Sequence, residues 1–157
     1  MRILIALLIM LAPSSALAQD FGIIRAPAEL SARLDSLASD SPSLQAALDS
    51  IRSTPNARIF IHEQAIPDPD ALAVTLHQDG VAVVVWDTRK IRRMSEGEVN
   101  ALLIHEVFGH AVPFALHGEA CRDPRDGERY LDSCVSERQE IVFKELGMRP
   151  RTRYASW

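Results

Sequence analysis

The sequence predicts an α+β fold, with helices before and after one short block of strands. Three observations predict it. Apolar residues recur at helical spacing between residues 28 and 52, β-branched residues crowd residues 59–86, and a capping box at Ser95 opens a further apolar helix. Elements that come in blocks rather than in strict alternation form segregated layers around one core.

The first eighteen residues are expected to be removed before that core forms. Arg2 supplies a short positive region, Ile3 to Ala12 an apolar one, and Ala16-Leu17-Ala18 an A-x-A cleavage site, the ordered parts of a secretory signal peptide. The apolar run is too short to span a bilayer. The expectation is therefore an exported chain, periplasmic or secreted, with a single domain over residues 19–157 and no stable membrane insertion. Losing Arg2 takes the formal net charge from −4 to −5, which gives no support for a nucleic-acid partner. The remaining length suffices for one domain with one modest core. Cys121 and Cys134 then lie in an oxidising compartment, where a disulfide is the natural expectation. Closing so small a loop is worth about 3 kcal/mol in the chain-entropy picture.

Residues 28–38 place Leu30, Leu34 and Leu37 on one helical face, and residues 43–52 do the same with Leu44, Leu48 and Ile51 after a helix-opening Ser41-Pro42. Ile59-Phe60-Ile61 is a short β-type run. Residues 71–87, ALAVTLHQDGVAVVVWD, read as two strands joined at Asp79-Gly80. Val81 to Trp86 is apolar at nearly every position, which predicts burial on both faces. His62 and His77 read as ordinary strand-end residues, and the basic Arg89-Lys90 and Arg92-Arg93 as a solvated connection. Ser95 with Glu98 begins a helix through Val99, Leu102, Leu103 and Val107 to about Ala111, with Pro113 expected to end it. A last helix runs from Asp132 to Leu146 with Gly147 as its cap, and Leu131, Val135, Val142 and Leu146 form its apolar stripe.

The chemistry lies in His105-Glu106-Val107-Phe108-Gly109-His110. In HExxH zinc sites the two histidines stand four residues apart on one helix face; here they are five apart. Residues five apart on a regular helix differ in direction by about 140°, against about 40° for four. One inserted residue, a π-bulge, restores a common face, and Gly109 eases the distortion. Burying His105, Glu106 and His110 unpaired would cost several kcal/mol. A metal with a bound water accounts for all three; a hydrogen-bonded structural cluster is the competing reading.

The run LLIHEVFGHA resembles the L-x-HELxHA active-site helix of zincin metallopeptidases. The tail KELGMRPRTRY, Lys144 to Tyr154, is similar to the RELGLPxRxSY ending of a family of bacterial effector and toxin-tip zinc peptidases. The resemblance covers the second half well and the first half in outline. It departs from the family in the extra residue of the stretched HExxxH motif.

The resemblance implies a gluzincin-like zincin fold of N-terminal helices, small sheet with a hairpin, active-site helix and C-terminal helix. It implies a zinc-dependent metallopeptidase acting on protein or peptide substrates, an endopeptidase rather than an exopeptidase. His105 and His110 would ligate Zn2+, and Glu106 would be the general base toward zinc-bound water. The third ligand would be an acid of the last helix. Glu137, at the border of the apolar stripe, is the expectation. Asp132 (a natural N-cap), Glu140 (opposite the stripe) and His117 (one residue beyond the metzincin spacing) stay open. Tyr130 and Tyr154 are candidate oxyanion donors, with packing the simpler role. A non-catalytic, zinc-stabilised binding or inhibitor module of the cell envelope is the alternative. Such a site has no use for a general base and should be closed by a fourth protein ligand.

Overall fold

The computed structural model describes residues 21–78, 80–118, 122–123, 126–130 and 132–149. The expected leader, the Cys121–Cys134 pair and the hydroxyls of Tyr130 and Tyr154 lie outside what is described. The chain is mixed α+β. Strand β1 (Ile23–Arg25) is followed by helices α1 (Ala28–Asp40) and α2 (Pro42–Ser53). Strands β2 (Arg58–Glu63), β3 (Ala73–Gln78) and β4 (Val81–Trp86) follow. They form one sheet in the order β1-β2-β4-β3, in which β1, β2 and β4 run parallel and β3 is the antiparallel edge.

The β3–β4 hairpin closes at Gln78 opposite Val81, with Gly80 at φ 77°, a left-handed turn conformation that glycine adopts without strain. β4 is the strand predicted to be buried on both faces. One face, Ala82, Val84 and Trp86, is fully buried and the other only half so. Its β-branched run fits a central strand whose one face packs against the helices while its other face is only partly covered.

The apolar faces of α1 and α2 meet the buried face of the sheet in one core. Leu34, Leu44, Leu48 and Ile51 pack with Ile59, Ile61, Val84 and Trp86. Ser41 joins the two helices and is wholly buried. Its Oγ accepts from the Leu44 backbone N–H and donates to Glu145 Oε2. Glu145 also accepts from the backbone N–H and the hydroxyl of Ser43. The Ser41 bond above all holds the Glu145 carboxyl below its ordinary range, and the carboxylate sits at the positive end of α2. It ties the last helix to the first pair.

The basic stretch after β4 is solvated at Arg89, Arg92 and Arg93, but Lys90 and the acid before it are structural. Asp87, 1% exposed, caps the short helix α3 (Thr88–Ile91) by accepting from the Arg89 N–H, and it also accepts from the Ile66 N–H. Lys90 Nζ donates to the carbonyls of Ile66, Asp68 and Ala71. A buried carboxylate and an ammonium thus supply the partners that the backbone between β2 and β3 lacks.

Helix α4 (Glu96–Ile104) opens with the Ser95–Glu98 capping box, continues as a π-helical turn (His105–Ala111) and ends as α5 (Val112–His117). Pro113 does not stop it. Val112 N–H donates to Val107 O, five residues back. Just beyond, the ladder returns to four-residue spacing, where the missing proline N–H removes little. The helix ends instead at Gly118, φ 65°. The continuous stretch Glu96–His117 is long and apolar enough to cross a membrane, but 67% of its most apolar window is buried inside this fold, as in a core helix.

Beyond a two-stranded ribbon, β5 (Arg122–Asp123) with β6 (Asp126–Tyr130), helix α6 (Asp132–Glu145) lies against the π turn and ends in a Schellman motif. There Gly147 N–H donates to Lys144 O and Met148 N–H to Phe143 O.

Gly22 sits where β1 passes the end of α2, and a Cβ there would lie 1.6 Å from Ile51 O. Backbone cannot yield as a side chain can. Gly22→Ala should therefore cost about 1–3 kcal/mol or more, seen as a lower urea midpoint at unchanged slope.

Candidate functional site

The five-residue spacing of His105 and His110 is accommodated by the π turn, whose wider winding brings both rings to one side. The rings stand nearly perpendicular, at 80°, with their Nε2 atoms 3.3 Å apart. Two ligands of a tetrahedral zinc at 2.0–2.1 Å are separated by about 3.3 Å. The pair thus has the separation of one edge of a zinc tetrahedron.

Protons sharpen the point. His105 Nδ1 lies 3.0 Å from Gln139 Oε1, and an amide oxygen only accepts, so the ring carries its proton on Nδ1 and turns a lone pair outward at Nε2. His110 is held neutral. Its own burial first, then the charges of His105, Arg138 and His77, push its pKa down to about 4. A neutral His110 that meets His105 nitrogen to nitrogen shares with it either a ring proton, one Nε2–H donating to the other Nε2, or a metal.

Glu106 is 6% exposed, and Thr75 Oγ1 on the edge strand donates to its Oε2 at 2.6 Å. Burial raises the Glu106 carboxyl above its ordinary range, against the opposing pull of His105 and the Thr75 bond. β3 alternates its faces, so Thr75 and His77 point the same way. Thr75 reaches Glu106, and His77 stacks on Phe114, the ring centroids 3.9 Å apart.

The acids of the last helix do not join the pair. Glu137 is exposed, Glu140 is exposed and paired with Lys144 at 2.9 Å, and His117 is exposed at the end of α5. The Asp132 side chain lies outside what is described. Among the described residues, no three His, Cys, Asp or Glu side chains come together to hold a metal. The described side chains thus fit a metal at two donors, His105 and His110. What α6 delivers is Gln139, 7% exposed. The signal was present in the sequence: Gln139 falls between Val135 and Val142 on the apolar stripe, where a polar side chain needs a buried partner.

Gly109 has a different role from easing a strained backbone, since its φ is not positive. A Cβ there would lie 2.6 Å from Val135 Cγ1. The missing side chain lets α6 approach closely enough for Gln139 to reach His105. A cavity of about 670 Å3 is lined by Arg33, Glu63 and Trp86 among others and touches neither histidine. A smaller one, about 270 Å3, adjoins the π turn at Phe108. No family model, curated protein or solved structure matches this chain.

Gly109→Ala should cost about 1–3 kcal/mol by overpacking against the stiff Val135. Adding Val135→Ala should recover part of it in a double-mutant cycle of urea midpoints. The metal-free protein should also lose stability in acid. Above about pH 6.5 His110 is neutral whether folded or not. Between about 6.5 and 4 the unfolded chain takes up a proton that the folded site refuses. The slope attributable to His110 should approach about 1.4 kcal/mol per pH unit. Glu106, protonated more readily in the fold, acts in the opposite sense, so the readout is the difference between parent and His110→Gln in urea midpoints at pH 7 and pH 4.5.

Proposed function

We propose that this chain is an exported zinc-dependent peptidase of zincin type, with His105 and His110 as two metal ligands and Glu106 as general base. The observation that carries the reading is the 3.3 Å approach of the two Nε2 atoms on a helix widened by one residue. A helix whose only task is packing has no reason to give up regular hydrogen bonding there, and π-bulges occur mostly at functional sites. The likeness of LLIHEVFGHA to the zincin active-site helix supports it independently.

Bound zinc would supply a Lewis acid that acidifies water and polarises the scissile carbonyl. The chain supplies the rest. Gln139 fixes the His105 tautomer so that Nε2 is free to donate its lone pair. The Thr75 hydroxyl orients the Glu106 carboxylate. Burial keeps that carboxyl closer to neutrality, where a base both takes a proton from the attacking water and returns it to the departing amine.

A second reading, a non-catalytic zinc-stabilised module, is favoured by one observation: an amide, Gln139, faces the pair from the helix expected to supply an acid. Activity separates the two. The purified protein should bind about one zinc, and His105→Ala or His110→Ala should release it. Gln139→Leu should weaken zinc binding about 10–100-fold. Glu106→Gln should keep the metal and lose chelator-sensitive cleavage in a mixed-peptide screen read by mass spectrometry. Undiminished zinc in both histidine variants would leave a hydrogen-bonded cluster, and a zinc-loaded parent that cleaves nothing would leave the module.

A further inference from the structure

The smaller cavity opens beside the π turn that carries the histidine pair. Among the described residues, Phe108, Val112, Pro113 and Leu116 give it apolar walls, and His117 and Arg138 also line it. Arg138 Nη1 is buried and, among the described residues, has no hydrogen-bond partner. A buried guanidinium donor left unpaired is costly, and native proteins keep few of them without a ligand, water or ion to answer them. The guanidinium belongs to the same environment as the candidate site. Its charge is one of those that hold His110 neutral, and its neighbour Gln139 grips His105.

We propose that this cavity binds an apolar residue bearing a free carboxylate, the C-terminal residue of a peptide, with the carboxylate on Arg138 and the side chain against Phe108, Val112 and Leu116. A guanidinium offers the paired donors that match a carboxylate. One fixed cation answers one negative charge, and the hydrocarbon walls favour an anion that carries an apolar group over a fully hydrated one such as phosphate. The volume, about 270 Å3, lies just below the roughly 300 Å3 at which small-molecule pockets begin, which suits a single residue. The inference deepens the peptidase reading. A peptide seated this way would present its last peptide bonds to the histidine pair, making cleavage near the C-terminus the expected specificity instead of internal cleavage.

The test is a binding measurement on the purified chain, made with chelator present so that its outcome does not depend on zinc. N-acetyl-leucine and N-acetyl-leucinamide are titrated calorimetrically, with N-acetyl-aspartyl-leucinamide as a probe whose carboxylate is on an internal side chain. The acid should bind about tenfold or more tightly than either other compound. Arg138→Met should abolish that preference, and Arg138→Lys should keep part of it. Should Arg138→Met unfold, as judged by circular dichroism, Leu116→Trp fills the cavity and should weaken both N-acetyl-leucine and its amide. Equal binding of acid and amide, no binding of either, a preference that survives Arg138→Met, or undiminished binding to Leu116→Trp would overturn the proposal. Tight binding of the internal aspartate probe would also overturn it, because the carboxylate would then come from a side chain. Zinc binding and chelator-sensitive cleavage are measured apart from these titrations, so the peptidase reading stands or falls separately.

Discussion

The widening of one helix by a single residue between His105 and Ala111 is the constraint around which the rest is arranged. A regular helix would leave the two histidines on different faces, one of them turned into the packing. The π turn brings them together at 3.3 Å, and the surrounding structure has to offset a stretch of irregular hydrogen bonding in the core. It does so by burying the turn between the sheet and α6, with Val107 and Ala111 wholly enclosed. Pro113 is tolerated for the same reason: it sits where the ladder is already changing step.

Two contacts convert that turn into a site. α6 approaches at Gly109, where there is no Cβ to hold it off, and this places Gln139 on His105. β3, the edge strand, places Thr75 on Glu106. Both partners are neutral, and both act on the charged or potentially charged groups of the helix by fixing where a proton can sit. α6 is itself anchored at its far end by Glu145 on Ser41 and Ser43. The orientation of His105 therefore depends on the N-terminal helices through a chain of packed elements that runs the length of α6.

Arg138 adds a charge to this neutral setting. Beside His110 it disfavours a second cation on the ring and so favours the lone pair, while its own buried Nη1 has no hydrogen-bond partner among the described residues. A single arginine can serve both ends because electrostatic influence extends further than a hydrogen bond in a poorly solvated interior.

Residue patterns alone determined the local elements. Leucine spacing set α1 and α2, the Ser95–Glu98 box set the start of α4, Gly80 set the hairpin and Gly147 the end of α6, because each is a short-range preference of backbone and side chain. The five-residue histidine spacing likewise implied a π turn, since no regular helix can bring such a pair together. Tertiary packing decided the rest. Glu137 was the expected partner on helical-wheel grounds, yet the docking of α6 turns Gln139 inward and leaves Glu137 in solvent. A wheel gives only the angle between residues of one helix, and which angle faces the neighbour is fixed by where two helices can approach, here at Gly109 against Val135. Lys90 read as solvated and proved to be a clamp, because its partners are carbonyls about twenty residues away. Thr75 and Arg138 carried no local signal at all. Their roles arise from an edge strand and a helix brought to the same turn, and distance along the chain does not encode that.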